Sequence, residues 1–201
     1  MSKGLLIVVS APSGCGKGTI LAEILKSNKY YYSVSATTRQ PREGEINGVN
    51  YHFMTNEEFT ERINNNGMLE YAVYCDNYYG TPSKEVYEKI EQGKNVILEI
   101  EVQGAMQVRE KCPDAVFVFI APPSIKELER RLNKRGTEKE DVIQRRVSAA
   151  AYELGFADKY DYIIFNAELE KAIEDFKIIV KAEKMKVKYT KESVYEVLKN
   201  A

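Results

Sequence analysis

Near its N-terminus the chain reads Leu5-Leu6-Ile7-Val8-Val9-Ser10-Ala11-Pro12-Ser13-Gly14-Cys15-Gly16-Lys17-Gly18-Thr19. The run Leu5–Ser10 is short, bulky and apolar, which is typical of a strand buried in a parallel sheet. A glycine-rich turn ends this run, and apolar residues then recur at helical spacing from Thr19 to Lys26. The segment therefore predicts a strand, a glycine loop and a helix in direct succession.

Residues 11–19 form a candidate phosphate-binding loop. Glycines let the backbone fold around phosphate oxygens with its N–H groups pointing inward, and the helix N-terminus adds partial positive charge. Lys17 is placed to reach the β- and γ-phosphates of a nucleotide. Two positions depart from the usual pattern: Ala11 replaces the first glycine, and Gly18 takes the Ser/Thr place, which moves the hydroxyl to Thr19. We interpret Cys15 as a small side chain within the loop.

Length and composition indicate one compact domain. The chain has 201 residues, of which 44% are hydrophobic and 29% charged, enough to bury a sizeable core. The 29 Lys and Arg nearly balance the 30 Asp and Glu, for a net charge of −1, so we expect no nucleic-acid partner. No apolar run approaches the roughly 20 residues that span a bilayer, and Leu5–Val9 is too short for a signal peptide. We therefore expect a cytoplasmic protein without a membrane partner.

The cysteines and the histidine exclude several kinds of site. Cys15, Cys75 and Cys112 are an odd number without metal-ligand spacing, and His52 is the only histidine. Zinc needs about three or four protein ligands, and nucleophilic catalysis by a Cys–His or Ser–His–Asp group would depend on that single imidazole. We therefore predict reduced structural thiols and no metal bound directly by the protein.

The rest of the chain predicts an α/β protein. Apolar runs of strand length recur at Val96–Ile100, Ala115–Ala121 and Ile163–Phe165, separated by helical patterns, which favours a parallel sheet flanked by helices. Two stretches, about 33–81 and about 124–158, do not follow this alternation of strands and helices. The predicted parts are a core (about 1–32, 82–123 and 159–201), an inserted mixed α/β lobe (about 33–81) and a helical lid (about 124–158).

A second motif lies in the inserted lobe, where Arg39 and Arg42 flank Pro41. Two arginines three residues apart across a rigid turn suit a second phosphate group. The Gly-Lys-Gly-Thr ending of the loop resembles nucleoside monophosphate kinases, and the lobe motif, Ser33 to Glu45, resembles guanylate kinases. Later pieces also resemble that family, in order and at its spacing, over about residues 4–182: Glu70, Asn77-Tyr78-Tyr79-Gly80-Thr81, Leu98-Glu99-Ile100-Glu101-Val102-Gln103-Gly104-Ala105, Arg135-Gly136-Thr137-Glu138 and Asn166.

The resemblance implies a role for each matching position. It implies that ATP contacts residues 11–19 and, at its adenine end, Asn166, while Lys17, Arg135 and Arg146 act on the transferred phosphoryl group. The positions that it assigns to GMP are Arg39, Arg42, Tyr51 and Tyr79 for the phosphate, Glu70, Ser35 and Thr81 for the base, and Glu101. The family usually has Asp at the place of Glu101. Arg130, Arg131 and Arg145 are interpreted as solvated charges on helix faces.

The expected activity is transfer of the γ-phosphoryl group of ATP to GMP, with Mg²⁺ held through the ATP phosphates and water. Two alternatives remain open at this point. One is a kinase with another nucleoside monophosphate as acceptor, and the other is a guanylate-kinase-like binding module without catalysis. Glu70 disfavours AMP, because adenine N1 is an acceptor and would face a carboxylate. Nothing in the sequence fixes the oligomeric state, and a homodimer is compatible with it.

Overall fold

A computed structural model describes residues 3–134 and 140–199 of the chain. Its central sheet has five strands, numbered in chain order with the others: β1 (Leu6–Ser10), β2 (Tyr30–Tyr32), β7 (Asn95–Glu99), β8 (Val116–Ala121) and β9 (Tyr162–Phe165). The strands lie in the order β2-β7-β1-β8-β9 and all neighbouring pairs are parallel. Every residue of β1 and β8 is buried, as expected for a sheet covered on both faces.

Eight helices lie among the described residues. They are α1 (Lys17–Ile24), α2 (Asn56–Asn64), α3 (Ser83–Glu91), α4 (Val102–Lys111), α5 (Ile125–Lys134), α6 (Glu140–Leu154), α7 (Leu169–Lys184) and α8 (Val187–Lys199). Apolar side chains from α1 and α7 pack on one face of the central sheet, and those from α3 and α4 pack on the other. The two faces form separate buried clusters, so the sheet is the middle layer of an α/β sandwich.

A second, smaller sheet is inserted between β2 and α3. Its strands are β3 (Ala36–Thr37), β4 (His52–Phe53), β5 (Met68–Tyr74) and β6 (Asn77–Pro82), in the order β4-β3-β6-β5. β3 pairs parallel with β4 and antiparallel with β6, and β5 pairs antiparallel with β6. The lobe has its own small apolar cluster on α2 and these strands. The mixed α/β lobe predicted from the sequence is therefore present as a sheet of its own.

Helices α5 and α6 pack on the glycine loop. Leu128 and Leu132 from α5 join Ile143 and Ala150 from α6 in a buried cluster that includes Cys15. This contact explains why Gly14 must lack a side chain, since a Cβ there would lie 2.8 Å from the Leu132 side chain. The predicted helical lid thus touches the loop directly in this structure.

Several local predictions have a definite outcome. The sequence does not predict strand β2, because its three successive tyrosines show no apolar periodicity. The spacing of Thr55 and Glu58 at the start of α2 predicts a capping box, and the two residues exchange both of its hydrogen bonds. The spacing of Ser124 and Glu127 predicts a second capping box, at the start of α5. Ser124 accepts from the backbone N–H of Glu127, but the Glu127 carboxylate binds Arg130 and Arg131 instead of completing the box. The same spacing recurs at Thr137 and Glu140, and Thr137 lies outside the described residues.

Candidate active site

The glycine loop begins at the carboxyl end of β1, in the middle of the central sheet. Gly14 and Gly16 have φ of 90° and 83°, in the left-handed region that glycine adopts without strain. The Ser10 hydroxyl donates to the Ile100 carbonyl at 2.8 Å, which ties the end of β1 to the segment after β7. Sequence and topology together therefore place a curved backbone against an α-helix N-terminus.

The loop encloses a cavity of about 360 Å³, which we call the loop cavity. All nine predicted loop residues, 11–19, line it, together with Glu101, Val102 and Glu153. Burial raises the pKa of Glu153, and the nearby Glu101 raises it further. Burial also raises the pKa of the Cys15 thiol to about 12, so this cysteine is neutral at physiological pH. Its interpretation as a small, unreactive loop residue is consistent with that environment.

The side chain of Asn166 is buried against the glycine loop and is hydrogen-bonded to it. Its side-chain Nδ2 donates to the Cys15 carbonyl at 2.7 Å, and a Cβ on Gly16 would lie 2.5 Å from the same nitrogen. Arg131 of α5 donates to the backbone carbonyl of Asn166 at 2.9 Å and to Glu127 at 2.8 Å. Hydrogen bonds from Arg130 and Arg131 hold the pKa of Glu127 down at about 2. The interpretation of Arg131 as a solvated charge is therefore wrong, because its guanidinium links the lid helix to the loop region.

Arg146 reaches the same loop from α6. Its Nη2 donates to the Ser13 hydroxyl at 2.6 Å, so the structure brings this predicted lid arginine to the wall of the loop cavity. Arg145, in contrast, makes an exposed pair with Asp141 one turn away, as its interpretation as a surface charge predicts. The other predicted lid arginine, Arg135, lies outside the described residues.

A second cavity of about 680 Å³ lies between the small sheet and the end of β7, and we call it the acceptor cavity. Of the residues predicted to bind the acceptor, Ser35, Tyr51, Glu70, Tyr79 and Glu101 line it. Residues that the sequence did not single out also line it, among them Tyr32, Tyr74, Glu99 and Gln103. Only the order of the strands brings these together, since they come from three separate parts of the chain.

Glu70 is the most buried acid in the acceptor cavity, with 6% of its surface exposed. The Thr81 hydroxyl donates to its Oε1 at 2.6 Å, and Gly104 of α4 lies so close that a Cβ there would be 2.8 Å from Oε2. Burial raises the pKa of Glu70, while the Thr81 hydrogen bond and Lys111 counteract that rise. The Thr81 hydroxyl thus donates its hydrogen bond to Glu70 and not to a base. The resemblance had implied that this hydroxyl contacts the base.

Neither Arg39 nor Arg42 lines the acceptor cavity, although Arg39 lies beside Tyr51, which does. Arg39 makes a bidentate pair with Glu45, at 3.0 and 2.9 Å, and its guanidinium lies over the Tyr51 ring at 5.5 Å from the centroid. The backbone N–H of Arg42 donates to the same Glu45 at 2.7 Å. Glu45 therefore organises the turn that carries both arginines.

Fold and site together define a phosphate-loop kinase with a second, inserted sheet. The guanylate kinase family model matches residues 3–183. A guanylate kinase of Clostridium tetani is 49% identical over 96% of this chain and 93% of its own length, and that of Desulfitobacterium hafniense is 52% identical over 92% and 93%. The crystal structure of the Anaplasma phagocytophilum guanylate kinase aligns with a TM-score of 0.73 at 34% identity, covering 94% of this chain and 90% of that one.

The chain therefore belongs to the guanylate kinase family, enzymes that convert GMP to GDP with ATP. The predicted α/β fold with a phosphate loop is confirmed by the same structural match. Among the described residues, no helix is long and apolar enough to cross a membrane.

Proposed function

We propose that the loop cavity takes ATP and the acceptor cavity takes GMP, so that the γ-phosphoryl group passes between them to a GMP phosphate oxygen. The observation that supports this division is that Lys17 lines both cavities. One ammonium group at the boundary faces both the donated and the accepting phosphate. A positive charge at that place stabilises the negative charge that is shared between them during transfer.

Phosphoryl transfer requires little covalent chemistry from the protein. A GMP phosphate oxygen is already ionised near neutral pH, so no general base is required, which agrees with a site built without a histidine. The rate acceleration comes from alignment of the two nucleotides and from neutralisation of the charge on their phosphates. In this proposal Lys17 acts on the β- and γ-phosphates, Arg146 turns from Ser13 towards them, and Arg135 acts with it.

The base is read at the far end of the acceptor cavity. Ionised Glu70 accepts from guanine N1–H and from the exocyclic amine, a charge-assisted contact at two points. Thr81 holds the carboxylate for that purpose, and Ser35 faces the base from the other side. Tyr51 and Tyr79 receive the GMP phosphate together with Arg39 and Arg42. Glu101 lines both cavities, and we place it beside the acceptor phosphate.

The donors of the loop cavity fit Mg²⁺, which prefers oxygen ligands and retains several waters. The Thr19 hydroxyl and the carboxylates of Glu101 and Glu153 line that cavity, and none of them is a nitrogen or sulfur ligand. No group of three or more His, Cys, Asp or Glu within the described ranges is arranged to hold a metal alone. We propose that ATP phosphates and water hold the ion beside these oxygens. When bound, it neutralises charge on the phosphate oxygens.

We further propose that the lobe (33–81) and the lid (124–158) close on the bound nucleotides and exclude water that would compete for the phosphoryl group. Hydrogen exchange with and without GMP and a non-hydrolysable ATP analogue measures this closure. Each chain carries both cavities, so the proposal applies to a single chain and to a homodimer alike. ATP as donor and three free thiols support a cytoplasmic location.

An acceptor panel tests the proposal directly. ADP formation is followed with GMP, AMP, CMP, UMP and dTMP at equal concentration. We expect turnover with GMP to exceed that with each of the others by at least ~10³-fold, as a site built on polar pairing to the base allows. Equal turnover with AMP would contradict the role given to Glu70, and no turnover with any acceptor would contradict the assignment of the two cavities.

A further inference from the structure

The strand that carries Glu70 is an edge strand of the small sheet. β5 pairs with β6 on one side, and in the part of the chain that the structure describes no strand pairs with its other side. The register of β5 also shifts between Met68 and Glu70, an irregularity of the kind that re-aims side chains near functional sites. Because an edge strand lacks pairing on one side, a further element is needed to fix the position of Glu70.

Helix α4 pairs with this free edge through the side-chain amide of Gln107. Its Oε1 accepts from the backbone N–H of Tyr71 at 3.1 Å, and its Nε2 donates to the backbone carbonyl of Tyr71 at 2.9 Å. These are the two hydrogen bonds that a neighbouring strand makes to one residue of an antiparallel ladder. One side chain of α4 thus takes the place of a strand, beside the residue that follows Glu70.

The same side of α4 makes further contacts with β5. Three residues at i, i+3 and i+7 share this side of the helix: Gly104, Gln107 and Lys111. Gly104 lies against the Glu70 carboxylate, and Lys111 Nζ donates to the Met68 carbonyl at 3.1 Å. Leu69 packs in the buried cluster that α3 and α4 form on the central sheet. The start of β5 is therefore attached to a helix of the core as well as to its own sheet.

We propose that Gln107 is a positioning residue for Glu70, and that selection of the base depends on its pairing with Tyr71. The inference rests on the proposed function, because it concerns the recognition of GMP. A contact at two points requires the carboxylate at a defined distance and angle from the base. The Thr81 hydrogen bond orients the carboxylate, and the Gln107 amide fixes the backbone from which that carboxylate extends.

Gln107→Met tests this role, because it keeps the length of the side chain and removes both hydrogen bonds to Tyr71. The displaced carboxylate should lose one of its two contacts with guanine, so kcat/KM for GMP should fall by about 5- to 50-fold, as for one or two hydrogen bonds. Inosine monophosphate (IMP) lacks the exocyclic amine, so its kcat/KM should fall by less than about threefold. A merely structural role would lower both values equally and leave their ratio unchanged.

A double-mutant cycle connects Gln107 to Glu70. In the Glu70→Gln background, Gln107→Met should alter kcat/KM for GMP by less than about twofold, because the carboxylate through which Gln107 acts has gone. Gln92→Met is the matched control. Gln92 follows α3 and is exposed, and its substitution should leave kcat/KM for GMP and for IMP unchanged.

A nearly isosteric variant, Gln107→Glu, tests the same pairing if Gln107→Met does not fold. It keeps an acceptor for the backbone N–H of Tyr71 but places a carboxylate oxygen against the Tyr71 carbonyl. The ratio of kcat/KM for GMP to that for IMP should therefore narrow in this variant too. Thermal unfolding shows that each variant is folded before its kinetics are compared.

An unchanged ratio of GMP to IMP in folded Gln107→Met or Gln107→Glu overturns the role of Gln107. An equal loss from Gln107→Met in the parent and in the Glu70→Gln background overturns its action through Glu70. If the unmodified protein does not phosphorylate GMP, the proposed function itself fails. That outcome is distinct from an active parent protein whose Gln107 variants keep its preference for GMP.

Discussion

The hydroxyl of Thr81 donates a hydrogen bond of 2.6 Å to the buried carboxylate of Glu70, in the wall of the acceptor cavity. The two residues face each other across the antiparallel pair of β5 and β6, in which they are in register. This cross-strand contact fixes the orientation of Glu70 before any ligand binds. In the proposed mode of GMP binding, this contact preorganises Glu70 as a hydrogen-bond acceptor for two N–H groups of guanine.

Base selection should depend on Glu70. Glu70→Gln keeps the volume but replaces one acceptor oxygen with an N–H₂ donor, which meets guanine N1–H unfavourably. We expect kcat/KM for GMP to fall by about 10²- to 10³-fold, and the preference for GMP over AMP to narrow, while the KM for ATP stays within about twofold. Steady-state kinetics with both acceptors measures this. An unchanged ratio of GMP to AMP in a folded variant would show that the base is read elsewhere.

The same carboxylate should make stability depend on pH. Burial raises the folded-state pKa of Glu70 above its usual 4.5, so the folded protein binds a proton more readily than the unfolded chain. The contribution of Glu70 is then most favourable below pH 4.5 and is lost as pH rises through the folded pKa. Urea unfolding of nucleotide-free protein should show this loss, and Glu70→Gln should show a smaller one. Identical pH profiles for the two proteins would contradict the prediction.

Two loop glycines should respond differently to alanine. Gly16 has a φ of 83° and no room for a Cβ beside Asn166, whereas a Cβ on Gly18 would meet nothing within 4 Å. Gly16→Ala should lower the free energy of unfolding by about 1–2 kcal/mol or more. Gly18→Ala lies in the first turn of α1 and should leave it unchanged or raise it by up to about 1 kcal/mol. Equal midpoints of urea unfolding for both variants would be incompatible with the loop geometry described.

Substitution of Arg131 should change the KM for ATP and leave the KM for GMP nearly constant. Arg131→Met keeps the apolar stem but removes the donor to the Asn166 carbonyl, so the loop region loses its link to α5. We expect the KM for ATP to rise about two- to tenfold, as for one lost hydrogen bond, with the KM for GMP nearly constant. Arg130→Met is the control, because Arg130 lies on the exposed side and pairs with Glu127. Equal effects from the two arginines would remove the basis for this assignment.

The sequence predicts a structural feature when the residues that determine it lie close together along the chain. The strand, loop and helix at residues 5–19 follow from local pattern, because glycine spacing and apolar runs act within a few residues. The apolar run Val96–Ile100 predicts β7 (Asn95–Glu99) for the same reason. The three tyrosines of β2 gave no such pattern, and only pairing with β7 makes them a strand.

The contacts between distant residues could not be predicted in this way. Arg131 looked like one more charge on a polar helix face, and only the packing of α5 on the loop brings it to Asn166. Tyr32 and Glu99 are separated by 67 positions, and they meet because β2 and β7 are neighbours. The resemblance gave Thr81 a place near the base, whereas the antiparallel register directs its hydroxyl at Glu70.

The central claim is that Lys17 serves both cavities, and one measurement tests it most directly. Single-turnover transfer of labelled γ-phosphate from ATP to GMP is compared in the parent protein, in Lys17→Ala, and in Lys26→Ala, whose lysine is exposed just after the same helix and pairs with Glu23. The account predicts a loss of ~10³-fold or more in Lys17→Ala, with unfolding temperature and Lys26→Ala turnover close to the parent. Near-normal formation of labelled GDP by folded Lys17→Ala would contradict it.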